Sequence, residues 1–240
     1  WRAVGPSRLA APRRLAALAS AALAFAYVAV LAILAVISIT PRWSYPRLLP
    51  DAFDLSVWTR ALSDPAPLVL SLLLGLATTA VALALAVLWF EPQPRRRDPW
   101  PASLALASLV LPQILIVAGQ YRAGLALDLT GSLAGLFLVH LTPVLAYVMV
   151  VLAGPYRALD PRYASVSRAL GPGPVRPWAR VTVPLLKAPL LSAAAVGFAV
   201  SMVQFVPAQL LGAGRYSTLP MEAVTLSSGG NRSLTAAFAL

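Results

Sequence analysis

Few side chains in this sequence can do chemistry, and they sit in unusual places. There is one histidine, His140, no cysteine, eight acidic residues and a single lysine, Lys187. With no thiol and only one imidazole, thiolate metal sites and disulfides are excluded, and His140 reads as a packed interior histidine rather than a metal ligand. No metal site is expected. A phosphate-cradling G-x-x-x-x-G-K-[ST] loop is absent, so the chain has no nucleotide site of that kind. What remains is uncharged polar chemistry inside long apolar runs: Gln113 directly after Pro112, and Ser201 and Gln204 one helical turn apart. Amide and hydroxyl groups in such surroundings face either neighbouring helices or a wet cavity. Helix-to-helix hydrogen bonding and contact with a passing solute both remain open for these three.

The elements that position them follow from composition. Apolar residues make up 59% of the chain, charged residues 11%, and the mean hydropathy is +0.78; a soluble domain carries about a quarter charged residues. Five intervals hold no charge: Leu15–Pro41, Pro65–Phe90, Pro99–Tyr121, Leu129–Tyr156 and Ala188–Gly214. Each exceeds the roughly 20 apolar residues that cross a bilayer, and one ion at the centre of a span costs about 2.5–3.5 kcal/mol. Five spans are therefore expected, with Ser233–Leu240 the start of a sixth. The first run outlasts the apolar stretch of a cleavable leader, about 15 residues at most. Trp1 is not an initiator, so the chain is expected to be part of a longer protein with its last span cut. Gly75, Gly131 and Gly135 are expected to let helices approach closely.

Loop charge gives orientation. The net charge is +11. Arg2, Arg8, Arg13 and Arg14 precede the first span, Arg95, Arg96 and Arg97 follow the second, and Arg157, Arg162, Arg168, Arg176, Arg180 and Lys187 follow the fourth. Excess Lys and Arg marks cytoplasmic loops, so the N-terminal segment 1–14 and the loop 155–188 are expected inside the cell, with 15–240 as the membrane domain. Topology accounts for the basic charge without nucleic acid.

That long loop carries its own helix signals. Asp160 suits an N-cap and Pro161 the first helical position. Tyr163, Val166 and Leu170 recur at helical period, and Gly171-Pro172 stops the helix. So short a helix needs a partner to be stable. Lipid headgroups, to which Arg162 and Arg168 are suited, and a groove on a cytoplasmic protein both satisfy that need. Pro184 and Pro189 bracket the start of the fifth span, either fixing its angle or acting as ordinary helix punctuation.

Here the sequence resembles the binding-protein-dependent ABC permeases. Their cytoplasmic loop reads E-A-A, three residues, G, nine residues, I, one residue, L-P. In this chain Ser165-Val166-Ser167 occupies the E-A-A positions, Gly171 the glycine, Val181 the isoleucine and Val183-Pro184 the Leu-Pro. The flanks Leu159-Asp160-Pro161 and Arg168-Ala169-Leu170-Gly171 are also similar, and the likeness extends from Ala102 to Leu240. Ser165 departs from the usual glutamate, which removes any salt bridge that glutamate would make. The stretch Gly212–Pro220 is similar to the thiamine and iron(III) permeases. The resemblance implies an all-α, polytopic membrane helical bundle, type I ABC importer permease-like, of about six transmembrane helices, in a bacterial inner membrane. It implies that Tyr163, Ser165, Val166, Ser167, Arg168, Leu170, Gly171, Val181 and Pro184 couple the chain to an ATPase subunit. It also implies a pathway shared with a second permease half (identical copy, paralogue or fused repeat), cargo delivered by a solute-binding protein, and no cofactor of its own, ATP being bound by the partner. A membrane enzyme is not expected; a scaffold that recruits a cytoplasmic partner is the alternative function.

Overall fold

In a computed structural model of the chain, residues 10–40, 50, 52–91, 100–160, 162–163 and 178–240 are described. Every element among them is helical: α1 (Ala10–Ser38), α2 (Ser56–Ala61), α3 (Ala66–Phe90), α4 (Trp100–Val110), α5 (Gln113–Ala126), α6 (Leu133–Ala158), a π-helical turn (Trp178–Thr182), α7 (Val183–Met202), α8 (Val206–Gly212), α9 (Leu219–Ser228) and α10 (Arg232–Ala239). They form two compact units, one of Pro65–Glu222 and one of Trp1–Asp64 with Ala223–Leu240.

In the larger unit α3, α6 and α7 pack against one another pairwise. Their shared core is built from Ala82 and Ala86 of α3, Val144, Val148, Leu152 and Tyr156 of α6, and Leu186 and Ala193 of α7. Small residues at such seams let backbones come close, the usual means of helix association in lipid. Gly75 confirms this expectation: a Cβ there would lie 2.9 Å from the Phe198 ring on α7. Gly131 and Gly135 serve a different purpose. Gly131 has φ +72° and turns the chain before α6, while a Cβ on Gly135 would lie 2.2 Å from the Leu129 carbonyl oxygen. Both permit the tight turn into α6 rather than helix approach. Gly197, not singled out from sequence, is the second close approach, packed on Val148, Thr79 and Val144.

Among the described residues, four helical stretches are individually long and apolar enough to cross a membrane: Leu15–Ser38, Ala66–Phe90, Leu133–Ala158 and Trp178–Met202. Two boundaries differ from those drawn by charge. The third run is not one helix: α4 stops at Val110, Pro112 has ψ 124°, and α5 begins at Gln113 and continues past Arg122 to Ala126. Proline lacks an N–H and drives the residue before it out of the helical region, so the run must break there. The fifth span begins earlier and ends earlier than Ala188–Gly214, because Pro184 fits in the first turn of α7 and α8 is a separate short helix with its own proline near its start.

The smaller unit holds α1, α2 and α10, with α10 packed on both of the others. Trp58 Nε1 donates to Ser38 Oγ at 3.2 Å, and the Asp54 N–H donates to the Ile39 carbonyl at 2.7 Å. Asn231 caps α10 by accepting from the Leu234 N–H at 3.2 Å, so the segment read as the start of a sixth span does start as a helix. Leu18, Leu23, Phe25 and Tyr27 of α1 are exposed, as expected of a surface that meets lipid or another apolar partner rather than water.

Candidate functional site

The break at Pro112 does more than end a helix. It places Gln113 at the first position of α5, and Gln120 follows two turns later near the same face. These two residues, with Ser108 of α4, Thr142 and Tyr147 of α6, and Gln204 just past α7, line a cavity of about 210 Å³ within the larger unit. Apolar side chains, Ile116, Val117 and Val200 among them, supply much of the rest of its wall, and no Asp, Glu, Lys, Arg or His is among the lining residues. Gln204 is buried, and its Nε2 donates to the His140 carbonyl at 3.4 Å while its Oε1 has no protein partner. The buried Nε2 of Gln120 likewise has none. A donor and an acceptor are thus left for something other than the protein, in surroundings where an unmade hydrogen bond is costly.

Behind this wall lies a polar network that ties the three long helices together. His140 Nδ1 on α6 and Ser201 Oγ on α7 share a hydrogen bond of 3.0 Å, and Thr78 Oγ1 on α3 lies 3.3 Å from the same Ser201 oxygen while also donating to the Leu74 carbonyl at 2.7 Å. His140 is 2% exposed, and its Nε2 has no protein partner, nor has the buried Thr79 Oγ1 on α3. Of the three polar residues singled out from sequence, Gln113 and Gln204 come together on the cavity wall. Ser201 does not line it and belongs to the network behind. Gln120 was not singled out, although its spacing from Gln113 (i, i+7) was a usable signal; Ser201 as the partner of His140 had none, being far away in the chain.

The long loop is described at its two ends. Asp160 Oδ1 accepts from the Arg162 N–H at 2.8 Å and its carbonyl from the Tyr163 N–H at 3.1 Å, while the helix expected to follow it lies outside the described residues. Tyr163 is 41% exposed. Ser165, Val166, Ser167, Arg168, Leu170 and Gly171 lie outside the described residues. Val181 lies in the π-helical turn and Pro184 in the first turn of α7. Both ends of the loop meet the end of α3. The Phe90 ring stacks on Tyr156 with centroids 5.1 Å apart, and Thr182 Oγ1 donates to Glu91 Oε1 at 2.9 Å. Burial raises the Glu91 carboxyl above its usual range, and the Thr182 hydrogen bond opposes that shift.

The described residues form helices only, four of the helical stretches long and apolar enough to cross a membrane, and an uncharged polar cavity lies among them, an arrangement suited to a membrane transport protein. Comparison with known proteins narrows this class. No family model matches the chain. It is 40% identical over 173 residues to the inner membrane ABC transporter permease protein YnjC of Escherichia coli (strain K12), an alignment covering 72% of this chain and 33% of YnjC. It is 30% identical over 155 residues to ORF1 of Streptomyces antibioticus, which carries an ABC transporter permease name, covering 63% of this chain and 68% of that protein. The molybdenum transport system permease protein ModB of Mycobacterium tuberculosis is 29% identical over 174 residues, covering 63% of this chain and 66% of ModB. A solved structure of a bacterial ABC transporter involved in import of the acidic polysaccharide alginate shares the fold, with TM-score 0.55 and 15% identity over 96% of this chain and 91% of that one. The chain belongs to the ABC transporter permeases and is a multi-pass inner-membrane protein. It spans about a third of the length of YnjC.

Proposed function

We propose that this chain is the permease component of a binding-protein-dependent ABC importer, moving a small solute across the inner membrane with energy from a separate ATPase subunit. The observation that carries this reading is the uncharged polar cavity within an apolar bundle, with Gln120 Nε2 and Gln204 Oε1, amide atoms of two of its lining residues, left without a protein partner. In this reading Gln113 and Gln204 line the translocation pathway, and Ser201 holds the helix behind it. The N-terminus and loop 155–188 are cytoplasmic. Tyr163, Ser165, Val166, Ser167, Arg168, Leu170, Gly171, Val181 and Pro184 form the coupling segment that docks on the ATPase. ATP is bound there and not on this chain. A second permease half completes the pathway, and an external solute-binding protein delivers the cargo; the likeness at Gly212–Pro220 favours a thiamine or iron(III) type of system.

The test is reconstitution in vesicles with a partner ATPase subunit and a solute-binding protein. Hydrolysis is expected to rise when the loaded binding protein is added outside. Gln204→Leu, which keeps the side-chain size but removes the amide, is expected to lower transport about tenfold, as for a lost buried hydrogen-bonding group of about 1–3 kcal/mol. Hydrolysis that ignores the binding protein would defeat the importer reading and favour a scaffold.

A further inference from the structure

The loop that the preceding proposal assigns to coupling leaves the bundle at the end of α6 and returns through the π-helical turn into α7. Both points rest on two consecutive residues at the end of α3. Phe90 stacks on Tyr156, which is 2% exposed and part of the three-helix core. Glu91 accepts the hydrogen bond of Thr182, itself 7% exposed. Trp178, the first residue of the turn, has its indole N–H beside the Tyr156 hydroxyl, and neither atom makes an aligned hydrogen bond. A half-buried carboxylate placed at the end of an apolar helix loses hydration, and Thr182 is the side chain that donates to it. The turn on which Thr182 sits is π-helical, a geometry that is rare, sits above the α form in energy and often marks functional positions.

We propose that Phe90 and Glu91 form a clamp that fastens both ends of loop 155–188 to α3, so that displacement of the loop moves α3 together with α7. Glu91 is a positioning residue in this device: it touches no cargo and acts through Thr182. The clamp rests on the coupling role proposed for the loop. It adds a mechanical path to α3, whose Thr78 joins the network behind the cavity wall. A load arriving at the loop then reaches α3 as well as α6 and α7, to which the loop is joined by the chain itself.

The experiment uses the assembled transporter in lipid. Thr182→Val, Glu91→Ala and their double variant break the bond, while Thr182→Ser and Glu91→Gln keep a donor and an acceptor. Two quantities are read: hydrogen exchange of the amides of Trp178–Thr182, and solute transported per ATP hydrolysed. Each breaking variant is expected to speed exchange about fivefold, the worth of one ordinary hydrogen bond, and to lower transport per ATP severalfold. The double variant should be no worse than either single one, and the two conservative variants should behave as wild type. Unchanged exchange would show that no clamp exists. Faster exchange with an unchanged transport-to-ATP ratio, or additive effects in the double variant, would show that the contact transmits nothing. If wild-type hydrolysis ignores the loaded binding protein, the importer reading itself fails, an outcome distinct from all of these.

Discussion

Glu91 and His140 illustrate two ways of keeping a polar side chain among apolar helices. His140 shares the Ser201 hydroxyl with Thr78, so that side chains of three helices meet at one oxygen. Glu91 stays at the helix end, half-buried, with its carboxyl raised by burial and partly restored by Thr182. The consequence for stability has a definite sign. The folded protein holds the Glu91 proton more tightly than the unfolded chain does, so this group's contribution is present below the unfolded value and is lost as pH rises through the folded one. Glu91→Gln removes the charge and keeps the acceptor. In thermal melts it should therefore be more stable than wild type at pH 7–8, and the gap should close as pH falls to about 4, the ordinary carboxylate range. A gap that widened on acidification would mean that Glu91 is held as a favourable carboxylate. At this scale the sequence exposed the side chains but not their pairing. Gln113 and Gln204 were visible because they interrupt apolar runs, whereas the Ser201–His140 bond joins residues from different spans and leaves no local trace.

At the level of helices, charge-free intervals mark the four spanning stretches among the described residues but misplace two sets of boundaries, for two physical reasons. Charge counting does not register proline, so the break between α4 and α5 at Pro112 was hidden inside one run. It also treats a lysine as an end, yet Lys187 lies within α7 and is exposed; a long side chain near a helix terminus carries its ammonium out to the interface and lets the helix continue. The seams were legible only as glycines, without the neighbour each one meets. Those neighbours set an order of tolerance. Gly119 of α5 has nothing within 4 Å of an added Cβ, so Gly119→Ala should stabilise by about 0.5–1 kcal/mol through helix propensity. Gly197→Ala would press on Val148 at 3.0 Å and on Thr79 and Val144 at 3.3 Å, and should cost about 1–3 kcal/mol. Gly135→Ala meets a backbone oxygen at 2.2 Å, which cannot rotate away, and should be the worst of the three. Unfolding in detergent measures the order; a Gly135→Ala protein as stable as wild type would refute the tight-turn account of α6.

On the scale of the larger unit, the clamp contacts fix which ends lie together. The last residues of α3 and α6 meet at one end of the bundle, and α7 starts there. Two helices that finish at the same end require the chain between them to return to the other, and α4 and α5 are what connects them. At about 1.5 Å per residue neither the 11 residues of α4 nor the 14 of α5 crosses about 30 Å of hydrocarbon alone, so the return takes both. The cavity is lined from both sides of that break. Sidedness of the unit is then a single question, because Glu91, Tyr163 and Lys187 flank one end. Lys187 is the only lysine in the chain and is exposed. A membrane-impermeant amine reagent should therefore modify it in inside-out vesicles stripped of peripheral proteins and leave it untouched in right-side-out ones, with Lys187→Arg as the control for other amines. The reverse pattern would put the whole loop end outside the cell, where no ATP-hydrolysing partner could push on it, and both the coupling role and the clamp would fall together.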